Sequence, residues 1–105
     1  MEGGKRTRNM KRRTGEPVGI PWYRRRDYER ILSMMADGGH LPRSYESWRF
    51  KAETLEQRLR ENGHTAVRAV IEPKSFSRWC AANRLKANAQ ARLLYAEQST
   101  RGSAD

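Results

Sequence analysis

The chain has little of what catalytic and metal sites are usually built from. Its 105 residues include one cysteine and two histidines, and Cys80, His40 and His64 come from three separate segments. Neither the CxxC nor the HxxxH spacing of common metal sites occurs. No glycine-rich loop follows a predicted strand, as a phosphate-binding loop requires. We therefore expect no catalytic residue, no metal site and no cofactor, and we predict that the protein is not an enzyme.

Disulfides and long apolar runs are also absent. A single cysteine cannot form a disulfide within the chain, and Cys80 lies between Trp79 and Ala81 on the apolar face of a predicted helix. Burial in the core is therefore favoured over a role as nucleophile. No apolar run is long enough for a signal-peptide core or a membrane span. We expect a cytoplasmic protein without a membrane partner.

Both ends of the chain lack the apolar side chains from which a core is made. Residues 1–16 contain no aromatic or branched apolar side chain, and residues 99–105 read STRGSAD. Neither stretch can bury enough apolar surface to offset the entropy lost on ordering. We predict a disordered basic arm at residues 1–16, a single small helical domain at residues 17–98 and a disordered tail at residues 99–105.

The best-defined predicted element is a helix over residues 44–63. Its apolar residues recur every three or four positions and fall on one stripe, formed by Tyr45, Trp48, Ala52, Leu55 and Leu59. Ser44 is suited to cap the first turn and Gly63 to end the last one. Glu56 and Arg60, four residues apart, are interpreted as an exposed helix pair.

Apolar spacing predicts three further helices, at residues 24–36, 73–83 and 88–98. Residues 65–71 have the composition of a strand, and the extended segment at residues 18–22 is its expected partner within the chain. Failing that, two copies of the chain could pair at the strand edge. The sequence thus predicts a mainly α fold with about four helices and one minor strand element, and a small α+β arrangement is the alternative.

The predicted core takes residues from every helix and from the strand. Its members are Ile31, Leu32, Trp48, Leu55, Leu59, Val70, Phe76, Trp79 and Leu94. Three apolar residues, Met34, Phe50 and Leu93, lie off their helix stripes. They are the candidates for a protein interface, so that a protein–protein adaptor or a small homodimeric interaction module is one functional hypothesis.

Positive charge is the property in which this chain departs furthest from an average protein. The formal net charge is +10, and the pI is about 10.6. Residues 1–16 hold six Lys or Arg against two Glu, and the rest of the chain is basic as well. Such a charge favours polyanionic partners, either nucleic acid or the acidic surface of another protein. A nucleic-acid-associated accessory or regulatory protein is therefore the first functional hypothesis.

The residues expected to contact phosphates lie in the arm and at the start of the first helix. They are Lys5, Arg6, Arg8, Lys11, Arg12, Arg13, Arg24, Arg25 and Arg26. Trp22 and Tyr23 precede the last three, and basic residues interleaved with aromatic ones are typical of proteins that bind single strands. Trp22 and Tyr23 are therefore candidates for stacking on bases. The competing interpretation is a solvated helix start whose aromatic side chains pack inward.

The last two predicted helices also suggest a helix-turn-helix, because a basic chain with two short consecutive helices is typical of that motif. Residues 83–87, which connect them, contain no glycine and exceed the usual turn length. Gln90 and Arg92 are the good base-reading side chains on the second helix. A helical hairpin that packs against the core is the favoured interpretation.

Three stretches of the sequence resemble those of a family of small uncharacterised bacterial proteins. They are residues 21–28 (PWYRRRDY), 41–48 (LPRSYESW) and 71–80 (IEPKSFSRWC). The resemblance implies a bacterial source and no particular activity, so no functional residue follows from it.

Overall fold

The computed structural model describes residues 17–104. In chain order the elements are β1 (Pro17–Trp22), α1 (Tyr28–Met34), α2 (Tyr45–Glu61), β2 (Thr65–Val70), α3 (Pro73–Ala82) and α4 (Ala89–Ala104). Two single-turn 3-10 helices, Arg25–Asp27 and Gly38–His40, precede and follow α1. The described part of the chain is thus mainly helical with a minor strand element, as the sequence predicts.

Strands β1 and β2 form a parallel pair. Pro17 pairs with Thr65 at one end of the register, and Trp22 pairs with Val70 at the other. Parallel strands require a long crossover, and here α1 and α2 lie in the connection. The pairing confirms the prediction that residues 18–22 are the partner of the strand within the chain.

Aromatic side chains from β1, α1 and α2 form the centre of the core. Trp48 is their common member, because its ring centroid lies 4.8 Å from that of Tyr23 and 5.0 Å from that of Trp22. Tyr28 and Tyr45 also contact Trp48. The Tyr45 hydroxyl donates a hydrogen bond of 3.1 Å to the carbonyl oxygen of Tyr23. The polar end of this buried ring is therefore satisfied.

A second apolar cluster joins α3 to α4. Phe76 is fully buried, and its ring centroid lies 5.3 Å from that of Tyr95. The Trp79 centroid lies 5.1 Å from Tyr95. Cys80 is buried in the same helix, as the sequence predicts, and that burial raises the pKa of its thiol. A buried neutral thiol is a weak nucleophile, so Cys80 contributes to packing.

Helix α2 begins and ends as predicted. The N–H of Ser47 donates a hydrogen bond of 3.0 Å to the Ser44 hydroxyl oxygen, which caps the first turn. Gly63 follows the helix with a φ of 87°, in the left-handed region that favours glycine. The limits of this helix therefore follow from local sequence alone.

The buried stripe of α2 differs from the predicted one in its third turn. Tyr45, Trp48 and Ala52 are buried, but the next buried residue is Glu56, and Leu55 is 44% exposed. Glu56 continues the stripe at a spacing of four, whereas Leu55 lies about 100° away from Glu56 around the helix. The prediction that Leu55 belongs to the core is wrong.

Two other predicted core residues are also exposed, Val70 at 38% and Leu94 at 40%. Val70 ends β2, whose outer side has no strand partner in the described part of the chain. Leu94 lies on the side of α4 opposite Ala96, which is fully buried. The remaining predicted core residues are buried or packed against the core: Ile31, Leu32, Trp48, Leu59, Phe76 and Trp79.

Helix α4 continues to Ala104, beyond position 98 where the sequence places its end. Thr100 is buried, and its hydroxyl donates a hydrogen bond of 2.8 Å to the carbonyl oxygen of Ala96. The backbone of β1 at Gly19 packs against these two residues. Helix α4 thus includes residues 99–104, which the sequence prediction places in the tail. The predicted arm, residues 1–16, lies outside the described residues.

Gly19 allows α4 to pack closely on β1. A Cβ at this position would lie 2.5 Å from the carbonyl oxygen of Ala96 and closer still to the Thr100 hydroxyl oxygen. We expect Gly19→Ala to lower the free energy of unfolding by about 1 to 3 kcal/mol, because α4 must move away from the strand. Gly39→Ala is the matched control, since nothing lies within 4 Å of a Cβ there. Equal stability of the two variants in denaturant unfolding would contradict this packing.

Candidate nucleic-acid interface

Of the predicted phosphate-binding residues, the structure describes the three consecutive arginines after β1. Arg24, Arg25 and Arg26 are all exposed. Arg24 lies 3.9 Å from the Asp27 carboxylate, and Arg25 pairs with Glu46. Arg26 forms no ion pair with any described residue. The six arm residues lie outside the described residues: Lys5, Arg6, Arg8, Lys11, Arg12 and Arg13.

The two candidate stacking residues are not available to a base. Trp22 is 5% exposed and Tyr23 is 2% exposed, because both rings pack on Trp48 in the aromatic core. The Arg68 guanidinium lies 4.0 Å from the centroid of the Trp22 ring and covers it further. The prediction that these rings stack on bases is corrected, and the interpretation in which they pack inward is confirmed.

Arg92, a predicted base-reading residue of the last helix, forms a buried ion pair instead. Its side chain is 6% exposed, and its guanidinium donates hydrogen bonds of 2.8 and 2.9 Å to the two carboxylate oxygens of Asp37. These hydrogen bonds hold the pKa of Asp37 below its usual range. Arg92 therefore links α4 to the residues after α1 and is not free to read a base.

Glu56 holds two arginines at the surface of the core. It accepts hydrogen bonds of 2.7 and 2.9 Å from Arg68, and Arg60 lies 3.3 Å away. The Glu56 side chain is 5% exposed, so the interpretation of Glu56 and Arg60 as an exposed helix pair is wrong. The hydrogen bonds from Arg68 hold the pKa of Glu56 below its usual range, although burial opposes the shift.

A groove between α1 and α3 carries a different kind of basic surface. Its volume is about 280 Å³, and its lining residues are Arg30, Met34, Pro73, Lys74, Ser77 and Arg78. We call it the basic groove. Arg30, Lys74 and Arg78 are exposed and form no ion pair with any residue of the described part of the chain. Three cations thus surround one open groove with no carboxylate bound to them.

The local sequence explains why α3 presents these side chains outward. Phe76 and Cys80 bury one face of the helix, and Lys74, Ser77 and Arg78, at spacings of three and four, lie together on another face. The carboxylate of the preceding Glu72 caps the helix by accepting hydrogen bonds from Ser75 N–H at 2.8 Å and Lys74 N–H at 3.3 Å.

Glu72, the carboxylate nearest in sequence to this groove, already accepts hydrogen bonds from the first turn of α3. Hydrogen bonds from Ser75 hold the pKa of Glu72 below its usual range, and the charge of Arg78 adds to that shift. On the other wall, Arg30 belongs to α1, which buries Ile31 and leaves Arg30 at the surface. Arg26, four positions before Arg30 in the chain, is also exposed.

Lys74 and Arg78 are site residues that the sequence prediction does not include. A signal for them was present, because their spacing of four opposite Phe76 is typical of a polar helix face. What the sequence could not show is the position of Arg30 across the groove. That position depends on how α1 and α3, more than 35 residues apart in the chain, pack on one core.

The three candidate interface residues have different environments. Phe50 is 73% exposed and Leu93 is 58% exposed, whereas Met34 is half-buried and packs against the core. Leu93 lines a groove of about 410 Å³ together with Leu85 and Leu94, which we call the leucine groove. Phe50 on α2 and the leucine groove at α4 are thus the exposed apolar features of the predicted interface.

A scan against protein-family models, a search of curated proteins and a search of solved structures each find no match to this chain. The resemblance to small bacterial proteins therefore stays a prediction. Within residues 17–104, no helix has both the length and the apolar character needed to cross a membrane. In the same residues, no three His, Cys, Asp or Glu side chains are grouped so that they could hold a metal ion.

Glu56→Gln tests whether the paired carboxylate stabilises the fold. Because Arg68 lowers the pKa of Glu56 from 4.5, the charged pair stabilises the protein above that pH, and the stabilisation is lost as pH falls through the folded-state pKa. We expect the variant to be less stable than wild type by about 1 to 3 kcal/mol near pH 7. The difference should shrink as the pH falls below 4.5, and a pH-independent difference in denaturant unfolding would contradict the pairing.

Proposed function

We propose that this chain is a small non-enzymatic protein that associates with nucleic acid, as an accessory or regulatory protein, through phosphate contacts in the basic groove. The observation that carries the proposal is the position of Arg30, Lys74 and Arg78 around one groove with no ion pair to a described residue. Cations that are not neutralised by their own protein bind phosphates at the smallest cost, because no internal pair has to break.

The chemistry of the groove supports recognition of the nucleic-acid backbone. Arg30 and Arg78 can each present two donors to one phosphate, Lys74 supplies a compact charge, and the Ser77 hydroxyl adds a neutral donor. The groove lining contains no aromatic side chain, so a base has no ring on which to stack. We expect weak sequence dependence and no stacking advantage for single strands over duplexes.

Counterion release gives the proposal a quantitative form. If Arg26, Arg30, Lys74 and Arg78 each neutralise one phosphate, the logarithm of affinity should fall with the logarithm of salt concentration at a slope of about −3.5 on duplex DNA. Residues 1–16 contain six further cations. The full chain should therefore show a steeper slope than a variant that lacks them.

The second candidate function is a protein–protein adaptor. Phe50 and the leucine groove favour it, because contiguous exposed apolar surface marks sites of protein interaction. Arg25 and Arg49, which lie beside Phe50, are paired with Glu46 and Glu53. A surface of mixed charge around an apolar centre suits a protein partner better than a polyanion.

Charge reversal in the basic groove separates the two functions. We expect Arg30→Glu/Arg78→Glu to weaken binding to labelled duplex DNA and RNA at least about tenfold near 0.1 M salt, and to reduce the salt slope by about 2. Lys51→Glu/Arg58→Glu is the matched control. It changes the net charge equally, and both residues are exposed on α2 without an ion pair to a described residue. Fluorescence anisotropy at two salt concentrations measures all three proteins.

Equal loss of affinity in the two variants would contradict a role for the basic groove and would attribute binding to total charge. Deleting residues 1–16 from all three proteins measures the contribution of the arm, and the groove variant should still bind more weakly than the control variant in that background. If wild type binds no better than an unrelated protein of the same charge, the adaptor function is favoured.

A further inference from the structure

Strand β2 has an outer edge whose backbone groups no other described strand pairs. In a parallel pair, successive residues direct their N–H and C=O groups to alternate sides. The N–H of Ile71 donates a hydrogen bond of 2.8 Å to the carbonyl oxygen of Trp22, which directs the odd-numbered residues of β2 toward β1 in the observed register. The backbone groups of Ala66, Arg68 and Val70 therefore point away from β1.

The outer edge of β1, in contrast, is blocked by its sequence. The same alternation directs Pro17, Gly19 and Pro21 away from β2. Proline has no N–H, so two of these three positions cannot donate a hydrogen bond to an added strand. Prolines at such positions are a common protection of sheet edges against pairing. The two-stranded sheet thus has one blocked edge and one open edge.

The charged side chain of β2 does not protect its open edge. The Arg68 guanidinium lies over the ring of Trp22, a β1 residue, and forms both of its short hydrogen bonds with Glu56. The side chain therefore leans toward β1, and its charge is neutralised there. Val70, the last outward residue, is apolar and 38% exposed. Neither side chain opposes the approach of another strand.

We propose that β2 of a second copy of this chain pairs with the open edge in antiparallel orientation. Around a two-fold axis at Arg68, Ala66 lies opposite Val70 of the other copy, and Val67 lies opposite Ala69. Each small side chain thus faces a larger one, and each outward pair exchanges two backbone hydrogen bonds. This strand is complementary in size to itself when reversed about Arg68, which favours a second copy over an unrelated strand.

The resulting dimer contains a four-stranded sheet in the order β1-β2-β2-β1. Its two outer edges are the β1 edges that carry Pro17 and Pro21, so that pairing stops at two copies. The two Arg68 residues face each other across the axis, and the Glu56 partner of each one limits their repulsion. This inference is independent of the proposed nucleic-acid function.

Val70→Pro tests the pairing through the backbone. The substitution removes the outward N–H of Val70, which does not bond to β1. Pro21 lacks the equivalent outward N–H in β1. We expect the wild-type mass to rise from 12.2 kDa toward twice that value between about 10 μM and 1 mM in sedimentation equilibrium, and the variant to stay monomeric. Val70→Thr is the control, because it keeps the N–H and the branched side chain, and it should dimerise like wild type.

Hydrogen exchange supplies a readout that needs no variant. As the wild-type concentration rises, the amides of Ala66, Arg68 and Val70 should exchange at least about tenfold more slowly, because pairing protects them. A wild-type protein that stays monomeric at about 1 mM would overturn the proposal. A dimer in which these three amides stay unprotected would also overturn it, as would a Val70→Pro protein that folds and still dimerises. Either result would place the interface elsewhere, for example at the leucine groove.

Discussion

The structure depends on the interaction of the Arg68 guanidinium with two groups, the Trp22 ring and the Glu56 carboxylate. It connects β2 to α2, which precedes it directly in the chain, and to β1, which lies more than 40 residues away. A carboxylate as buried as Glu56 requires a cation with matching donors, because an unpaired charge there would be strongly destabilising. The parallel pairing of the strands brings Arg68 and Trp22 to the same face of the sheet and thereby meets that requirement.

Pairing with carboxylates of the protein also determines which of its cations are free to bind a polyanion. Several arginines that raise the net charge are used internally, Arg68 with Glu56, Arg92 with Asp37 and Arg25 with Glu46. The basic groove differs because its three cations have no such partner among the described residues. A net charge of +10 therefore attracts polyanions to the protein as a whole. The pattern of ion pairs suggests the surface to which a polyanion binds.

Local features of the fold could be predicted from the sequence, and long-range polar contacts could not. The helices, the Ser44 cap and the strand at residues 65–71 follow from periodicity and local preference. The burial of Glu56 does not, because its partner Arg68 lies on another element, and Arg92 and Asp37 are 55 positions apart. The helical continuation past position 98 depends on a glycine in β1 that admits Thr100. In each case a polar or small residue acquires its role from a neighbour that only tertiary structure supplies.

Mapping by nuclear magnetic resonance tests most directly whether the basic groove is where nucleic acid binds. A short duplex is titrated into the isotopically labelled full chain, and the chemical shifts of backbone and arginine side-chain N–H groups are followed. We expect the largest shift changes at the described residues to fall on Arg30, Lys74, Ser77 and Arg78, while Lys51 and Arg58 on α2 change little. Shift changes of equal size at all exposed cations, or changes concentrated around Phe50, would contradict it.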